Sequence, residues 1–477
     1  MARRLLTLLA ALLLALSLGQ SSASAASFAN PVKSVKGADP WITYHDGNYH
    51  LVSTSWTDVI TIRRSPTLAG LATAPGIQVW KGDDPSRCCN IWAPELHHLN
   101  GRWYLYYVAG QNVSDYNPTQ RSHVLESAGP DPMGPYTYRG RLNASWMLDP
   151  TVADINGQLY LFGSTHDGTQ NIVAARMSNP YTVSSSFSTV ARPTHDWERS
   201  GAPVNEGPEI LQRNGRTFLV YSASGCWTPD YKLGQLELTG RDPASASSWT
   251  KKPTPLFQRS DGNGVYGPGH NGFFTSPDGT ESWIVYHAND SASDGCDNGR
   301  TARAQKFTWN SDGTPHLGTP LRLGASVSGP SGEPSGVAAT YTLTNRNSGK
   351  CLEVSGGSPA DGANVVQRAC DGGSQQRWRL QDLGDDTHRL LNAATGKVLD
   401  TADCSAADGA DLRQWSWLDN PCQRFRFLAT DSGHVRIVNQ ATGKVADVAD
   451  CSTADAADVR QWTWLNNACQ QWRLNPV

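Results

Sequence analysis

The sequence predicts an all-β protein, a five-bladed β-propeller followed by a second β domain with threefold internal repetition. An apolar strand, an Asn-Gly or Asp-Gly turn and a second apolar strand recur, with turn glycines at 47, 101, 157, 215 and 279. After position 341 a Gln-x-aromatic motif returns every 47 residues. Short apolar runs are separated by Gly, Pro, Asn and Asp, and none has a sustained helical period.

Residues 1–25 have the pattern of a cleaved signal peptide. Arg3 and Arg4 precede an apolar run from Leu5 to Leu18, and the small residues that follow provide a cleavage site. The run is too short to cross a bilayer, so we expect a secreted, extracellular protein with no membrane partner. Charged residues make up 17% of the chain, and the net charge of −3 offers no basic surface for nucleic acid. The 17 tryptophans supply flat apolar faces that can stack on sugar rings.

Ten cysteines in an exported chain indicate disulfide bonds. Four of them, in the propeller region, allow three pairings: Cys88, Cys89, Cys226 and Cys296. We favour a bond between the neighbours Cys88 and Cys89, which would stiffen the chain just before Trp92, together with Cys226 bonded to Cys296. Ordinary long-range pairing of all four is the alternative.

The five propeller repeats occupy residues 28–325. Equivalent strand starts in a propeller face one central axis, so residues that are far apart in sequence converge there. Superposing the repeats brings together Asp39, Glu95, Asp149, Glu206 and His270. A ring of carboxylates at the mouth of a rigid channel is costly unless catalysis or a cation requires it.

Two carboxyl groups in different protonation states are what glycoside hydrolysis needs. Asp39, beside an apolar wall formed by Trp41, is the candidate base, and Glu206 is the candidate acid. Asp149 is the neighbour expected to keep the proton on that acid. Glu209 is the rival acid, although strict strand alternation would turn it away from the axis. A strand-capping or cation-binding role is the alternative for these carboxylates.

The motifs around these residues resemble those of glycoside hydrolase family 43, over residues 30–320. They are Ala38-Asp39-Pro40, Trp92-Ala93-Pro94-Glu95, Leu148-Asp149-Pro150 and Glu206-Gly207-Pro208. The resemblance implies an inverting mechanism in which Asp39 is the base, Asp149 the pKa modulator and Glu206 the acid.

The same resemblance implies that His270 binds a central Ca²⁺ or Na⁺, often through water, and that there is no organic cofactor. A histidine that only forms hydrogen bonds in the channel is the alternative. Trp92, His270 and Arg303 are candidate substrate-binding residues, with an exposed salt bridge as the alternative for Arg303. Glu95 is expected to be structural.

Residues 326–340 are rich in Gly, Ser and Pro and predict a linker. The following residues 341–477 resemble a ricin-type β-trefoil carbohydrate-binding module of family 13. The resemblance rests on Gln-x-aromatic motifs at 376, 423 and 470 and on one close cysteine pair per lobe, 351 with 370, 404 with 422 and 451 with 469.

This resemblance implies two sugar-binding lobes. One would use Asp400, Gln414 and either Trp415 or Trp417, and the other Asp447, Gln461 and either Trp462 or Trp464. The first lobe places its cysteines earlier in the repeat and is expected to bind differently or not at all.

The stretch from Ile91 to His98 resembles the arabinofuranosidase branch of family 43, as does the pairing with a ricin-type module. We therefore expect a monomeric, exo-acting α-L-arabinofuranosidase that releases L-arabinose from α-1,5-linked arabinan, a plant cell-wall polysaccharide, or from arabino-oligosaccharides. The alternatives are an arabinoxylan arabinofuranosidase, an endo-arabinanase, a β-xylosidase and, more remotely, a non-catalytic sugar-binding protein.

Overall fold

A computed structural model describes residues 27–334 and 340–477. The predicted signal peptide lies outside these ranges. Within them, the regular structure consists of β-strands and short 3-10 helices, which confirms the all-β prediction. No helix in the described ranges is long and apolar enough to span a bilayer.

The first domain contains antiparallel sheets in a propeller-like arrangement. After β1 (Ser27–Phe28), the first group is β2 (Trp41–His45), β3 (Asn48–Val52), β4 (Val59–Ser65) and β5 (Ile77–Lys81). Two separate sheets follow: β6 (Cys89–Leu99), β7 (Arg102–Gly110), β8 (Arg121–Ser127) and β9 (Tyr136–Arg141), then β10 (Leu148–Ile155), β11 (Gln158–His166), β12 (Gln170–Asn179), β13 (Thr182–Val183) and β14 (Ser188–Ala191). Two more are β15 (Asn205–Arg213), β16 (Arg216–Ala223), β17 (Lys232–Leu238) and β18 (Trp249–Lys251), then β19 (Tyr266–Thr275), β20 (Ser282–Asn289), β21 (Thr301–Trp309) and β22 (Pro315–His316).

The second domain is a β-trefoil, whose strands follow β23 (Val327–Ser328). They are β24 (Tyr341–Asn345), β25 (Cys351–Val354), β26 (Val365–Arg368), β27 (Trp378–Asp382), β28 (His388–Asn392), β29 (Val398–Thr401), β30 (Leu412–Trp415), β31 (Phe425–Ala429), β32 (Val435–Asn439), β33 (Val445–Val448), β34 (Ala457–Trp462) and β35 (Trp472–Pro476). The 3-10 helices of the two domains are Ala69–Ala72, Asn117–Thr119, Asp196–Glu198, Ala246–Ser248, Asp261–Asn263, Ser355–Gly357, Ser374–Gln376, Ala402–Cys404, Pro421–Gln423, Ala449–Cys451 and Ala468–Gln470.

The hairpins form where the sequence predicts them. In four of the repeats both turn residues have positive φ, as at Asn100 (51°) and Gly101 (77°). Asparagine and glycine tolerate this left-handed conformation, which a two-residue hairpin turn requires. The favoured cysteine pairs also form: Cys88–Cys89, Cys226–Cys296, Cys351–Cys370, Cys404–Cys422 and Cys451–Cys469.

A left-handed residue also stands near the start of the first strand in each of five strand groups. These residues are Asp39 (φ 52°), Ala93 (43°), Asp149 (54°), Gly207 (52°) and His270 (45°). Four of these positions coincide with a register shift, as expected of a β-bulge. The predicted superposition is therefore wrong in two repeats: Glu95 lies two residues after the equivalent position, and Glu206 lies one residue before it.

The two domains share packing and hydrogen bonds. Strand β5 pairs in parallel with β31, Ile77 opposite Phe427. Arg63, a buried side chain in β4, forms an ion pair with Asp382 of the trefoil. One apolar cluster contains residues of both domains, including Trp41 and Tyr341.

The first half of the predicted linker packs against the first domain. Strand β23 pairs with β1. Glu333 is buried, and its Oε1 accepts a hydrogen bond of 2.9 Å from the Leu68 amide. The first part of the predicted linker therefore contacts the first domain, and residues 335–339 lie outside the described ranges.

Candidate active site

Asp39 lies in a positively charged, nearly closed environment. Its Oδ1 is 3.3 Å from Nδ1 of His270 and 3.4 Å from Nη1 of Arg300, and its Oδ2 accepts a hydrogen bond from Thr54. Burial alone would raise the pKa of Asp39, but the charges of His270 and Arg300, together with the contact with His287, outweigh it. The pKa of Asp39 is therefore held well below its usual range, so the group stays ionised and suits the role of a base.

Glu206 lies at the start of β15 and has a hydrogen-bond partner on each carboxyl oxygen. Tyr231 donates its hydroxyl to Oε1 and Gln170 donates Nε2 to Oε2, both at 2.7 Å. Burial raises the pKa of Glu206, and the negative charge of Asp39 adds to this; hydrogen bonds from Tyr231 and Gln170 and the charge of His270 oppose it. The net shift is upward, which favours a carboxyl group that retains its proton.

Asp149 links the two sides of this site. Its Oδ2 accepts a 2.9 Å hydrogen bond from the amide of Gly207, the residue directly after Glu206. Burial raises the pKa of Asp149 to about 7; His270 opposes the rise, and the charges of Glu206 and Asp39 support it. Interaction between two titrating groups is reciprocal, so ionised Asp149 also favours the protonated form of Glu206.

His270 completes the cluster from β19. Its amide donates a 2.7 Å hydrogen bond to Ser222 Oγ. Burial lowers the pKa of His270, but the charges of Asp39, Asp149 and Glu206 reverse this, and the net shift is upward. The imidazole thus serves as a positive partner for the carboxylates around it.

The described residues around His270 do not form a coordination site for a metal ion. In the described part of the chain, no three His, Cys, Asp or Glu side chains converge as ligands for a metal ion. Ca²⁺ prefers roughly six to eight oxygen ligands, whereas His270 offers nitrogen and turns Nδ1 toward Asp39. The residues present do not fit a directly coordinated calcium ion, and no catalytic step is derived through one.

Of the three predicted substrate-binding residues, His270 lies among the carboxylates described above, whereas Trp92 and Arg303 have different outcomes. Trp92 is half-buried directly before Ala93, and its ring meets that of Tyr116 edge-on at 5.8 Å. Arg303 is fully buried, bonds Thr301 at 2.9 Å and forms an ion pair with Asp290. Its assignment to the substrate site is therefore corrected: the arginine beside Asp39 is Arg300, three residues earlier.

Several residues of the site carry no motif that the sequence analysis could use. Tyr231 and Gln170 hold Glu206, and Thr54 holds Asp39. The ring of His287 stacks on Tyr231, with centroids 5.6 Å apart. The available signal is position. Thr54 follows β3 and His287 lies in β20, and these strands pair with the inner strands β2 and β19. Tyr231 precedes β17, which is one strand further out and pairs with β16.

Glu95 and Glu209 form a second buried layer. Oε2 of Glu95 lies 2.8 Å from Nε2 of His97, within hydrogen-bond distance. Oε2 of Glu209 accepts a hydrogen bond of 3.4 Å from the Thr151 hydroxyl. Burial, reinforced by the charge of Glu95, raises the pKa of Glu209 well above its usual value. Simple alternation does not separate Glu206 from Glu209, since the bulge at Gly207 lies between them.

In the trefoil, the predicted glutamines are structural. Gln414 is fully buried, and its side chain bonds Thr395 Oγ1 and the carbonyls of Ser358 and Ala360. Gln461 makes the equivalent bonds in the next lobe. Both amides are satisfied by the protein itself, so their assignment as sugar ligands is corrected.

Asp400 and Asp447 occupy matching positions in lobes two and three. Asp400 bonds Arg413 at 3.0 Å, and the Arg413 guanidinium lies over the Trp415 ring, 4.3 Å from its centroid. Asp447, Arg460 and Trp462 repeat this arrangement, with an ion pair of 3.4 Å and a ring distance of 4.4 Å.

The remaining tryptophans lie elsewhere. Trp417 and Trp464 pack under Arg389 and Arg436 rather than beside the lobe carboxylates. Trp415 and Trp462, which the sequence analysis left as alternatives, are the aromatic residues next to the acids. In lobe one, Arg368 occupies the equivalent position and forms an ion pair with Glu353 at 3.1 Å.

Comparison with known proteins agrees with this architecture. The profile of glycosyl hydrolases family 43 matches residues 28–315, and that of the ricin-type beta-trefoil lectin domain-like family matches residues 331–415 and 421–477. An extracellular exo-α-(1→5)-L-arabinofuranosidase of Streptomyces avermitilis is 39% identical over 316 residues, 63% of this chain and 65% of that protein. A protein of the same name from Streptomyces chartreusis is 36% identical over 275 residues, 55% of this chain and 83% of its own length.

A solved structure is also similar to the first domain. The crystal structure of an α-L-arabinofuranosidase from Lactobacillus brevis has a TM-score of 0.59 at 35% identity, covering 62% of this chain and 98% of that one. The chain spans less than two thirds of the Streptomyces avermitilis relative, 65% of its length. By the extent of its family match, the chain belongs to glycosyl hydrolases family 43 and carries a ricin-type β-trefoil lectin domain after that region.

Proposed function

We propose that the protein is a secreted, inverting α-L-arabinofuranosidase that releases L-arabinose from the ends of α-1,5-linked arabinan or arabino-oligosaccharides. The observation that carries the proposal is the convergence of Asp39, Asp149 and Glu206 on one buried site with opposed electrostatics. The pKa of Asp39 is lowered and that of Glu206 is raised. A base and an acid in these states are what inversion requires.

In the proposed reaction, Glu206 gives its proton to the glycosidic oxygen as the bond from that oxygen to the anomeric carbon breaks. Asp39 takes a proton from a water molecule, whose oxygen bonds the anomeric carbon from the opposite face. The charge on Asp149 keeps the proton on Glu206 until substrate is bound. We expect the Asp39 and Glu206 carboxyls to be about 6.5–9.5 Å apart, which leaves room for this water.

The arabinan assignment is supported by the relatives' names. Both Streptomyces relatives are named exo-α-(1→5)-L-arabinofuranosidases, and both are named extracellular. An arabinan endo-1,5-α-L-arabinosidase of Aspergillus niger is 25% identical over 263 residues, 49% of this chain and 75% of that protein. Arabinoxylan debranching, endo-action and β-xylosidase activity are therefore the competing outcomes of the test below.

Strands β2–β5 are proposed as the fifth blade. They pair in sequence order, as the four separate sheets do. They also carry the left-handed residue Asp39 where the other sheets carry theirs. Their additional pairing with β31 joins this blade to the trefoil.

The trefoil is proposed to bind plant polysaccharide through two lobes. Each lobe offers a carboxylate, an arginine and a half-buried tryptophan face, at Asp400 and Trp415 and again at Asp447 and Trp462. Retention of the protein in gels containing arabinan tests this. We expect W415A and W462A each to weaken retention and the double variant to abolish it; unchanged retention of the double variant contradicts the proposal.

Two further features are proposed from the family resemblance, a monomer and a Ca²⁺ or Na⁺ ion near His270. Such an ion would be held mainly by water. If the ion is Ca²⁺, EDTA treatment lowers the unfolding temperature and added Ca²⁺ restores it; an unfolding temperature that EDTA does not change contradicts Ca²⁺. If the ion is Na⁺, replacing Na⁺ in the buffer by a large organic cation lowers the unfolding temperature, and an unchanged value contradicts Na⁺. Sedimentation velocity tests the monomer.

The function is tested by incubating the full protein with debranched arabinan, arabinoxylan and xylo-oligosaccharides and identifying the products. We expect arabinose as the first product from arabinan. Longer arabino-oligosaccharides as first products would show endo-action. Xylose as the sole product would overturn the proposal, and D39N, with its candidate base removed, should release nothing.

A further inference from the structure

A second polar cavity lies on the sheet formed by β6–β9, apart from the catalytic carboxylates. It has a volume of about 440 Å³, within the range of small-ligand sites. Its walls include Arg87, Arg121 and Arg141, with His123 and Tyr138 between them. We call this cavity the arginine pocket.

Only one of the three arginines in the arginine pocket has a carboxylate partner in the described part of the chain. Arg87 is paired with Asp84 and lies over the Tyr138 ring. Arg121 donates only to backbone carbonyls, among them Ala144 at 3.0 Å. In the described ranges, neither Arg121 nor Arg141 has a carboxylate within ion-pair distance. Two guanidinium groups thus face one cavity without a counter-charge.

The positive charge of the arginine pocket lowers the pKa of the groups within it. Burial and the charge of Arg141 both lower the pKa of Arg121. Burial lowers the pKa of His123 to about 3; a hydrogen bond to the Ala109 carbonyl opposes this, and the charges of all three arginines lower it further. His123 is therefore neutral, with Nδ1 3.1 Å from the Tyr138 hydroxyl. The positive charge of the pocket therefore comes from its arginines and not from His123.

The arginine pocket lies at the same end of its sheet as the catalytic mouth. Arg121 begins β8 and Arg141 ends β9, at the end where β6 begins close to Trp92. The loop between β7 and β8 contacts both places. Its Tyr116 meets the ring of Trp92, and its Pro118 carbonyl accepts from Arg121. A polysaccharide that reaches Trp92 can therefore continue over this loop to the arginines.

We propose that the arginine pocket binds the carboxylate of an acidic sugar, a uronate residue of the polysaccharide to which the arabinan chain is attached. This rests on the proposed function, because arabinan itself is neutral and the uronate belongs to the polymer that carries the arabinan chain. Guanidinium groups bind planar carboxylates through paired, charge-assisted hydrogen bonds. The Tyr138 ring and the exposed Gln111 provide an apolar face and a polar group for the rest of the sugar.

The test measures binding to the full-length protein directly, by calorimetry with oligogalacturonate, oligoglucuronate, neutral arabino-oligosaccharide and inorganic phosphate. We expect a uronate oligomer to bind more weakly as salt is added, because the contact is ionic. R141Q should weaken it about tenfold, the loss expected for one charge-assisted contact. R121Q should weaken it as well, and unfolding temperatures check that both variants are folded.

Arg139 supplies the matched control. It lies two residues before Arg141 on β9 but forms an ion pair with Glu126 at 3.0 Å, outside the arginine pocket. R139Q should bind uronate as the unchanged protein does. Equal loss in R139Q and R141Q, absence of uronate binding, or phosphate binding as tight as uronate binding would overturn the proposal. Arabinose release is scored separately, so its failure would count against the proposed function alone.

Discussion

At the scale of single residues, the two principal carboxyls differ because their neighbours differ. Asp39 faces His270, His287 and Arg300, whereas Glu206 faces the neutral donors of Tyr231 and Gln170. Both side chains are partly buried, and burial favours the protonated form of each. Positive charge reverses that preference only at Asp39, so the pKa of the proposed base is lowered while that of the proposed acid is raised.

The acid role predicts a dependence on the leaving group. Replacing Glu206 by alanine removes the proton donor, which contributes roughly 10²–10⁴-fold in such reactions. We expect E206A to lose about that much activity on arabinan and far less on an aryl arabinofuranoside, whose leaving group needs little protonation. Initial rates on the two substrates give the ratio. E209Q, the control for the rival acid, should leave the ratio unchanged, and equal losses of E206A on both substrates would remove Glu206 from this role.

Two substitutions should move the alkaline limb of the pH profile in opposite directions. Activity falls as pH rises through the pKa of Glu206, because the acid must be protonated. D149N removes a negative charge that keeps that proton on, so the limb moves to lower pH, by about one unit. Y231F removes a hydrogen bond that favours ionised Glu206, so the limb moves to higher pH. Profiles of kcat/KM measure both, and shifts in the same direction would contradict the assignment.

At the scale of elements, the bulge near the start of each inner strand positions the site. Residues with positive φ stand there, and L-residues adopt this conformation only at a cost. Asp39, Asp149 and His270 accept it in three repeats, and each directs its side chain into the site. Backbone strain is thus located where functional groups are needed.

Gly207 is the bulge residue that should not tolerate a side chain. A Cβ atom there would lie 3.1 Å from Nδ1 of His270, on a backbone with φ of 52°. We expect G207A to displace the imidazole and lower kcat by tenfold or more, which is about 1.4 kcal/mol in the barrier. Gly157 is the matched control, since its φ is 81° and no atom lies within 4 Å of an added Cβ. G157A should lose stability but keep kcat; equal kcat losses would contradict the argument.

The bulges of the inner strands also explain where prediction from the sequence succeeds and where it fails. Asn-Gly and Asp-Gly turns determine where the hairpins form, and their recurrence along the chain predicts that Asp39, Asp149 and His270 come together. The spacing of the repeats does not reveal the bulges. The prediction made from that spacing therefore put Glu95 and Glu206 at the ring positions that Ala93 and Gly207 occupy in the structure. A one-residue shift in a strand changes which face a side chain occupies.

At the scale of the whole molecule, the two domains form one packed unit. The cluster that contains Trp41 also contains Tyr341 and Phe427, and the ion pair of Arg63 with Asp382 crosses the junction. We therefore expect one calorimetric unfolding transition for the full chain. Removing residues 341–477 would expose apolar surface and lower the unfolding temperature of the remainder. Two separate transitions, with the first domain unaffected by the deletion, would contradict a shared core.

Contacts between distant residues also mark the limit of prediction at the site. Arg300 and Arg303 lie three residues apart in one segment, and only packing shows that Arg300 reaches Asp39 while Arg303 is enclosed. Gln414 has the residue type of a sugar ligand, but carbonyls of Ser358 and Ala360 use its amide. Such assignments depend on tertiary partners, which spacing along the chain does not specify.

The central claim is that Asp39 and Glu206 hydrolyse an arabinofuranosyl bond with inversion. The most direct measurement is proton NMR of the full-length protein acting on a linear α-1,5-arabino-oligosaccharide, recorded before the released sugar equilibrates. The account predicts that β-L-arabinofuranose appears first and that D39N produces none. First appearance of the α-anomer, or undiminished release by D39N, would contradict it.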